Sequence, residues 1–255
     1  MSDTQHTVRF PNESPTYRDA RDRLLDAEMQ LRRQTEEVAA LRRQLPLGGT
    51  IREDYRFDEV DDPSDVASER PVRLSDLFTP GKNTLVVYSF MYGPKMKTAC
   101  PSCTSILDSL DGGAPHITQR VNLAVVARSP LRRIREFAGS RGWRHLHLLS
   151  SEGNSYNRDY HAENEAGDQL PVLNVFVRTD DGIHHYYATE LLYAPHEPGQ
   201  DSRHVDGIWP LWNAFDFTPD GRGSYWQPKL QYDDGAVPLR RAPRGETAAD
   251  ASPAP

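Results

Sequence analysis

Two cysteines, the only ones in this 255-residue chain, are separated by two residues as Cys100-Pro101-Ser102-Cys103. Two thiols at this spacing suit thiol–disulfide exchange, in which one thiolate attacks a disulfide and the second thiol resolves the mixed disulfide. A cross-link closing so short a loop would stabilise a fold by only about 2 kcal/mol. The spacing therefore favours a reactive pair over a structural one.

Two other interpretations of the pair are inert packing cysteines and half of a zinc site. A structural zinc ion requires four ligands. His116 follows Cys103 at a spacing typical of a zinc finger, but no histidine follows at the fourth position, and only His145 and His147 remain as remote ligands. The sequence therefore predicts redox chemistry without a metal or a cofactor.

The segment before the cysteines predicts how they are positioned. Residues 85–90 form an unbroken apolar run that predicts a buried strand, and a nine-residue loop (residues 91–99) leads to Cys100 at the start of a helix. Pro101 suits the first helical position. The unpaired N–H groups and partial positive charge of a helix start favour a thiolate at Cys100. Cys103 lies about one turn later, on the same side of the helix.

The rest of the chain alternates between predicted strands and helices, with an Asp-Gly turn before the last strand. This order predicts an α/β fold with a central mixed sheet that is parallel in part and covered on both faces, ending in a hairpin. A short edge strand is expected near 55–57, and the last helix is expected to be broken at Trp209-Pro210. The predicted strands are 121–127, 146–149, 172–177 and 183–189. One predicted helix begins after Ser129-Pro130, and two others span 156–165 and 204–217.

A long amphipathic helix is predicted before this core. Ser14-Pro15 is typical of a helix start. Apolar side chains then recur at strict intervals of seven, at Tyr17, Leu24, Leu31, Val38 and Leu45. The helix is either half of a dimeric coiled coil or an arm packed on its own domain. The predicted organisation is disorder over 1–13, a helical arm over 14–49, the core domain with an aromatic C-terminal extension over 50–235, and a disordered tail over 236–255.

Composition excludes several classes of function. The formal net charge is −7 and no basic block dominates, so nucleic acid is not an expected partner. No apolar run approaches the roughly 20 residues of a membrane span. The first residues lack a basic segment followed by an apolar one, so a cytoplasmic location is expected.

Several local motifs resemble a bacterial thioredoxin-like family of unknown function, whose members are often called predicted dithiol-disulfide isomerases. The resemblance implies a thioredoxin-like fold in which Cys100 attacks, Cys103 resolves and Pro171 occupies the position of a cis-proline beside the disulfide. The motifs that carry it are RRQLP at 42–46, YSFMYGP at 88–94 with CPSC, ARSPL at 127–131, Gly142-Trp143, residues 150–160, HHYYAT at 184–189 and FDFTPDGRG at 215–223.

Arg128 ends the second parallel strand, at the sheet edge from which the cysteine loop emerges. It either balances the charge of the thiolate or a substrate carboxylate, or caps a surface turn. The expected substrate is a disulfide-bearing protein or a small thiol compound. Two alternatives stay open: a peroxiredoxin-like thiol peroxidase, for which Thr98 is one residue out of place relative to Cys100, and a non-catalytic scaffold that dimerises through the N-terminal helix.

Overall fold

The computed structural model describes residues 6–60, 68–223 and 226–232. The tail predicted at 236–255 and residues 1–5 lie outside the described residues, whereas residues 6–13 form turns and irregular backbone. The elements, in chain order, are α1 (Pro15–Arg43), β1 (Arg56–Val60), β2 (Glu69–Arg73), β3 (Thr84–Ser89), α2 (Pro101–Ile117), β4 (Asn122–Ala127), α3 (Leu131–Arg141), β5 (Leu148–Ser150), α4 (Tyr156–Asp159), β6 (Leu173–Thr179), β7 (Gly182–Ala188) and α5 (Pro210–Asp216).

Within the described residues, seven strands form one mixed sheet in the order β2-β1-β5-β4-β3-β6-β7. Strands β3, β4 and β5 are parallel, and β6 pairs antiparallel with both β3 and β7. Strand β3 thus lies between β4 and β6, and α2 connects it to β4 as a crossover helix. This arrangement confirms the predicted α/β, thioredoxin-like fold.

The two faces of the sheet carry separate cores, because successive side chains of a strand point to opposite faces. Tyr88 of β3 and Phe90 just after it face the first core, which includes the buried face of α2, α3 and the aromatic residues near α5. Leu85 and Val87 face the second core, which also contains Phe57 and several tyrosines. The cysteines belong to the first core.

Three predicted elements differ from the structure. The edge strand expected near 55–57 is β1, which is not at the edge because it pairs antiparallel with β2 on one side and with β5 on the other. The helix expected at 156–165 is the single turn α4, since the carbonyl of Asn157 accepts from two later amides and the chain turns away. The last helix is broken at Trp209-Pro210 as predicted, but it begins at 206 rather than 204, with a 3-10 turn, Asp206–Ile208, before α5.

Helix α1 begins as predicted and packs on the domain only near its C-terminal end. The Ser14 hydroxyl accepts a hydrogen bond from the Tyr17 amide, with proline at the first helical position. At the other end, Tyr186 Oη donates to the Arg42 carbonyl at 2.6 Å, and the Gly48 amide donates to the His185 carbonyl at 2.9 Å. No residue of α1 is buried. Among the described helices, none is both long and apolar enough to cross a bilayer.

Candidate active site

Cys100 occupies the N-cap position of α2. The loop that follows β3 brings the Cys100 amide to the Met91 carbonyl at 3.1 Å, and the Thr104 amide donates to the Cys100 carbonyl at 2.9 Å. Pro101 takes the first helical position. The Cys100 thiol does not form the side-chain capping hydrogen bond usual at an N-cap. The backbone N–H groups of Ser102 and Cys103 at the helix start nevertheless lie close enough to its sulfur to favour the thiolate.

The two thiols have opposite electrostatic environments. Both cysteines are free, with Cys100 partly exposed and Cys103 buried. A hydrogen bond from the Cys103 thiol, assisted by the backbone N–H groups of Cys103 and Ser102, lowers the pKa of Cys100 to about 6. Burial raises the pKa of Cys103 well above its usual value. The structure therefore combines a thiolate accessible to a substrate with a protonated thiol behind it.

Tyr88 is a site residue that the sequence analysis missed. This β3 residue is fully buried, and its hydroxyl has no nitrogen or oxygen partner within the described residues. Burial, followed by the proximity of Cys103, raises the pKa of Tyr88. The alternation of β3 was the available signal, since it places Tyr88 on the sheet face that carries the helix of the cysteines.

A cleft of about 360 Å³ surrounds the Cys100 side chain, and we call it the cysteine cleft. Residues 201–223 and 226–227 form one wall, here called the C-terminal cover. The Trp209 indole donates to Ser105 Oγ of α2 at 3.1 Å, which anchors the cover to the helix of the cysteines. Trp209 and Trp212 belong to the first core and, together with Trp226, also line the cysteine cleft, which the sequence did not indicate.

Partly exposed ion pairs and a cation–π contact link the segments of the C-terminal cover. Arg222 pairs with Asp206 at 2.6 Å and with Asp216 at 2.8 Å, and its guanidinium lies over the Trp212 ring at 5.7 Å. This pairing with Arg222 lowers the pKa of Asp216 to about 2. Asp216 is therefore ionised at neutral pH, and its pair with Arg222 links α5 to the end of the cover beside the cysteine cleft.

Pro171 lines the cysteine cleft, as the resemblance implies. The Leu170–Pro171 peptide bond is trans, so the cis geometry associated with that position is not present. The Pro171 carbonyl accepts a hydrogen bond from His204 Nε2 at 3.2 Å, and Ser202 Oγ lies 2.7 Å from His204 Nδ1. Burial lowers the pKa of His204. A neutral imidazole that donates through Nε2 and accepts through Nδ1 satisfies both contacts.

Arg128 does not lie in the cysteine cleft. It pairs with Glu163 and lines a different cleft with Glu53 and Asp54. Arg128 directly follows β4 at the predicted sheet edge, but its guanidinium is paired with the Glu163 carboxylate rather than with a thiol.

The arginine that supports the cysteine loop is Arg133, on α3. Its guanidinium donates to the carbonyls of Gly93, Met96 and Lys97, with 3.2 Å to Gly93 and 3.1 Å to Lys97, and lies 4.3 Å from the centre of the Tyr92 ring. Those four residues precede Cys100 in the loop. Arg133 could not be predicted as a site residue, because its side chain contacts backbone carbonyls some 40 residues away and such contacts produce no local sequence pattern.

The zinc alternative receives no support from the geometry. Within the described residues, no three histidine, cysteine, aspartate or glutamate side chains lie together in a way that could hold a metal ion. His116, His145 and His147 therefore do not complete a ligand set with the two cysteines.

The fold and the cysteine pair at a helix start define a thioredoxin-like protein. Residues 6–234 match the family described as "Bacterial protein of unknown function (DUF899)", and the chain belongs to that family. This match confirms the resemblance drawn from the motifs. No curated protein matches this chain.

Solved structures of peroxiredoxins share parts of this fold. Peroxidoxin BcpB from Mycobacterium tuberculosis is 17% identical, with 67% of this chain and 98% of that chain covered and a TM-score of 0.42. A peroxiredoxin-like protein from Aquifex aeolicus is 14% identical, covering 56% and 75%, with a TM-score of 0.40. The 2-Cys peroxiredoxin of Plasmodium vivax is 17% identical, covering 66% and 94%, with a TM-score of 0.43. Similarities this low say nothing about activity.

Proposed function

We propose that this protein is a cytoplasmic thiol–disulfide oxidoreductase that uses Cys100 and Cys103. The observation that carries the proposal is the asymmetry of the two thiols: Cys100 is partly exposed at the N-cap of α2, whereas Cys103 is buried one turn later. In keeping with this geometry, the Cys100 pKa is lowered to about 6 and the Cys103 pKa is raised. At neutral pH most Cys100 is the nucleophilic thiolate, whereas Cys103 stays protonated until it attacks the mixed disulfide.

The reaction has two steps that transfer two electrons. The Cys100 thiolate attacks one sulfur of a substrate disulfide, forms a mixed disulfide and displaces the other substrate sulfur as a thiolate, which takes up a proton. Cys103 then loses its proton and attacks Cys100 Sγ, which releases the second substrate thiol. The protein is left with a Cys100–Cys103 disulfide, and the substrate disulfide has become two thiols. Run in reverse, the same steps oxidise a dithiol.

The substrate is a disulfide-bearing protein or a small thiol compound. The partial exposure of Cys100 and the wall of tryptophans beside it favour a group that enters a narrow cleft. An extended peptide segment or a low-molecular-weight disulfide fits this description.

The test is to trap the mixed disulfide with oxidised glutathione and identify it by mass spectrometry. C103S should accumulate glutathione on Cys100, the wild-type protein should proceed to an internal disulfide, and C100S should form neither product. Melting curves of the three proteins control for folding. An unreactive Cys100 in C103S would contradict the proposal.

The peroxidase and scaffold alternatives are separated by the same variants. Thr98 is exposed and Arg128 pairs with Glu163, so neither lines the cysteine cleft. Rapid consumption of hydrogen peroxide by C103S, with a sulfenic acid on Cys100 and no exchange with glutathione, would replace the proposal with peroxidase chemistry. A chain with both cysteines changed to serine that keeps its full cellular role would replace it with a scaffold.

We further propose that two copies of the chain pair through α1. Leu24 and Leu31, two residues of the seven-residue repeat, are 46% and 66% exposed in a helix without buried residues. A repeat of seven with apolar side chains is typical of a coiled coil, and a second copy presents the same row. In sedimentation experiments, Leu31→Glu should convert a dimer to a monomer, whereas Gln30→Glu should leave the dimer intact. A wild-type monomer at micromolar concentration would contradict this pairing.

A further inference from the structure

The buried thiol of the cysteine pair has to ionise in the second step of the proposed exchange. Cys103 is 1% exposed, and burial disfavours the charged form of a thiol. As long as Cys100 is a free thiolate, its negative charge also opposes ionisation of Cys103. The attacking form of a thiol is nevertheless the thiolate. Stabilisation of a negative charge on the Cys103 sulfur is therefore a requirement of the reaction.

No buried charged side chain of the described residues provides this stabilisation. Among those residues, Glu59 of β1 is the one buried side chain that carries a charge, and its carboxylate pairs with Arg70 and His147. Cys103 belongs to the first core, with apolar and aromatic neighbours. A thiolate at this position therefore depends on neutral hydrogen-bond donors.

The Tyr88 hydroxyl is one neutral donor beside Cys103. Tyr88 is fully buried on β3, on the face of the sheet that packs against α2. Its hydroxyl has no nitrogen or oxygen partner among the described residues, and it interacts with the Cys103 thiol. Burial, followed by this interaction, raises the pKa of Tyr88, so the hydroxyl keeps its proton at neutral pH. It is therefore a hydrogen-bond donor, and a negatively charged sulfur is an acceptor that satisfies it.

The backbone amide of Met91 is a second donor. Met91 lies in the loop after β3, where its carbonyl accepts from the Cys100 amide at 3.1 Å. Burial raises the pKa of Cys103, whereas the Tyr88 hydroxyl and the Met91 amide act on it in the opposite direction. Strand β3 and the loop that follows it thus direct a hydroxyl and an amide at the same sulfur. Fixed donors aimed at an atom that becomes negative stabilise the developing anion.

We propose that Tyr88 is a catalytic residue whose hydroxyl donates a hydrogen bond to the Cys103 sulfur and stabilises the thiolate that resolves the mixed disulfide. This inference rests on the exchange reaction proposed above. In the mixed disulfide the Cys100 sulfur carries no charge, so the two donors act on Cys103 without opposition from a neighbouring thiolate. Cys103 then loses its proton, the Cys100–Cys103 bond forms, and the bond from Cys100 to the substrate sulfur breaks. The departing substrate thiolate takes up a proton, and Tyr88 stays neutral throughout.

The probe 2,2′-dithiodipyridine separates the two steps, because each step releases one molecule of the absorbing product pyridine-2-thione. Attack by Cys100 gives the first release, at a rate that depends on the probe concentration. Resolution by Cys103 gives the second release, at a rate that does not. With one equivalent of probe, Tyr88→Phe should slow the second release by about tenfold, the effect of one hydrogen bond, and should leave the first nearly unchanged.

Two further proteins separate a chemical role of the hydroxyl from a structural one. Tyr156→Phe removes a fully buried tyrosine hydroxyl in the second core, on the opposite face of the sheet, and should leave both releases at wild-type rates. Incorporation of 3-fluorotyrosine at position 88 preserves the shape of the side chain and makes the hydroxyl a stronger donor. Its second release should be at least as fast as that of the wild-type protein. Melting curves of all the variants control for folding.

The outcomes distinguish the role of Tyr88 from the exchange reaction itself. A second release at the wild-type rate in Tyr88→Phe would overturn the role of Tyr88 and leave the exchange reaction intact. So would 3-fluorotyrosine slowing that release as much as phenylalanine does, or Tyr88→Phe slowing both releases equally, since either result indicates a structural effect. A wild-type protein that gives no first release would contradict the exchange reaction, and the role of Tyr88 with it.

Discussion

Helices α1 and α2 begin with the same local signal and have opposite surroundings. Each has proline at the first helical position, after a residue with extended backbone that serves as the N-cap. In α1 the cap is Ser14, whose hydroxyl accepts from a helix amide, and no residue of the helix is buried. In α2 the cap is Cys100, which makes no such bond, and the helix buries six residues, among them Cys103, Ile106 and Leu107.

The comparison separates two uses of a helix start. A serine at the cap satisfies an amide and stabilises its helix. A cysteine in the same place leaves the amides directed at sulfur, where they stabilise a thiolate. Helix α2 tolerates a weak cap because the packing of its buried face against the sheet, rather than its first turn, holds it in place.

The largest expected difference between the helices concerns burial. Leu107→Ala in α2 should lower the free energy of unfolding by about 2–5 kcal/mol, because a fully buried leucine leaves a cavity. Leu31→Ala in α1 should change it by no more than about 0.5 kcal/mol in dilute protein. Urea denaturation measures both. Equal losses at low concentration would refute the contrast, and a Leu31→Ala loss that grows with concentration would report pairing of α1.

The next prediction concerns pH. Folding lowers the Cys100 pKa to about 6 from its usual value of 9.0, so between these pH values the unfolded chain binds more protons than the folded protein. The free energy of unfolding should therefore rise with pH across this range. In C100S the free energy of unfolding should rise less steeply with pH, because the Cys100 thiol no longer contributes to the proton difference. Denaturation at several pH values measures it, and identical pH profiles for both proteins would contradict the lowered pKa.

Arg133 and Arg132 provide a matched pair on α3. Arg133→Met should loosen the loop before Cys100 and raise the Cys100 pKa by about half a unit, which slows alkylation of Cys100 about threefold near pH 5, well below that pKa. Arg132→Met should have no effect, because that side chain is 77% exposed and, among the described residues, its ion pair is with Glu136 of the same helix. Iodoacetamide kinetics measure both variants. Equal rates would show that the loop does not position the thiolate.

The smallest effect is expected at the cap of α1. Ser14→Ala removes the acceptor of the Tyr17 amide, which lies 3.2 Å from Ser14 Oγ. The loss should be about 1 kcal/mol. Because α1 makes few contacts with the domain, the loss should appear as faster hydrogen exchange in the first turn of α1, without a shift in global melting. A global shift instead would show that α1 supports the whole domain.

The parts of the fold that were predictable from the sequence are those specified by a short run of neighbouring residues. Residues 85–90 and 121–127 are mostly apolar, so the buried parallel strands β3 and β4 were expected from the sequence. The Asp181-Gly182 turn predicted the hairpin of β6 and β7, with Gly182 at a φ of 140°. Strand β2 carries the polar pattern ERPVR and was missed. Its pairing with β1 depends on contacts that a short sequence window does not contain.

The candidate site shows the same division. Helical geometry alone places residues 100 and 103 on the same side of a helix that starts with proline. The sequence therefore determined that Cys100 lies at the helix start and that Cys103 lies one turn later. Tertiary structure decided the surroundings of the pair: Arg133 supports the loop, Arg128 is directed to Glu163, and tryptophans about 100 residues away enclose the cleft. Spacing fixes geometry within one helical turn, whereas packing between distant segments depends on the whole fold.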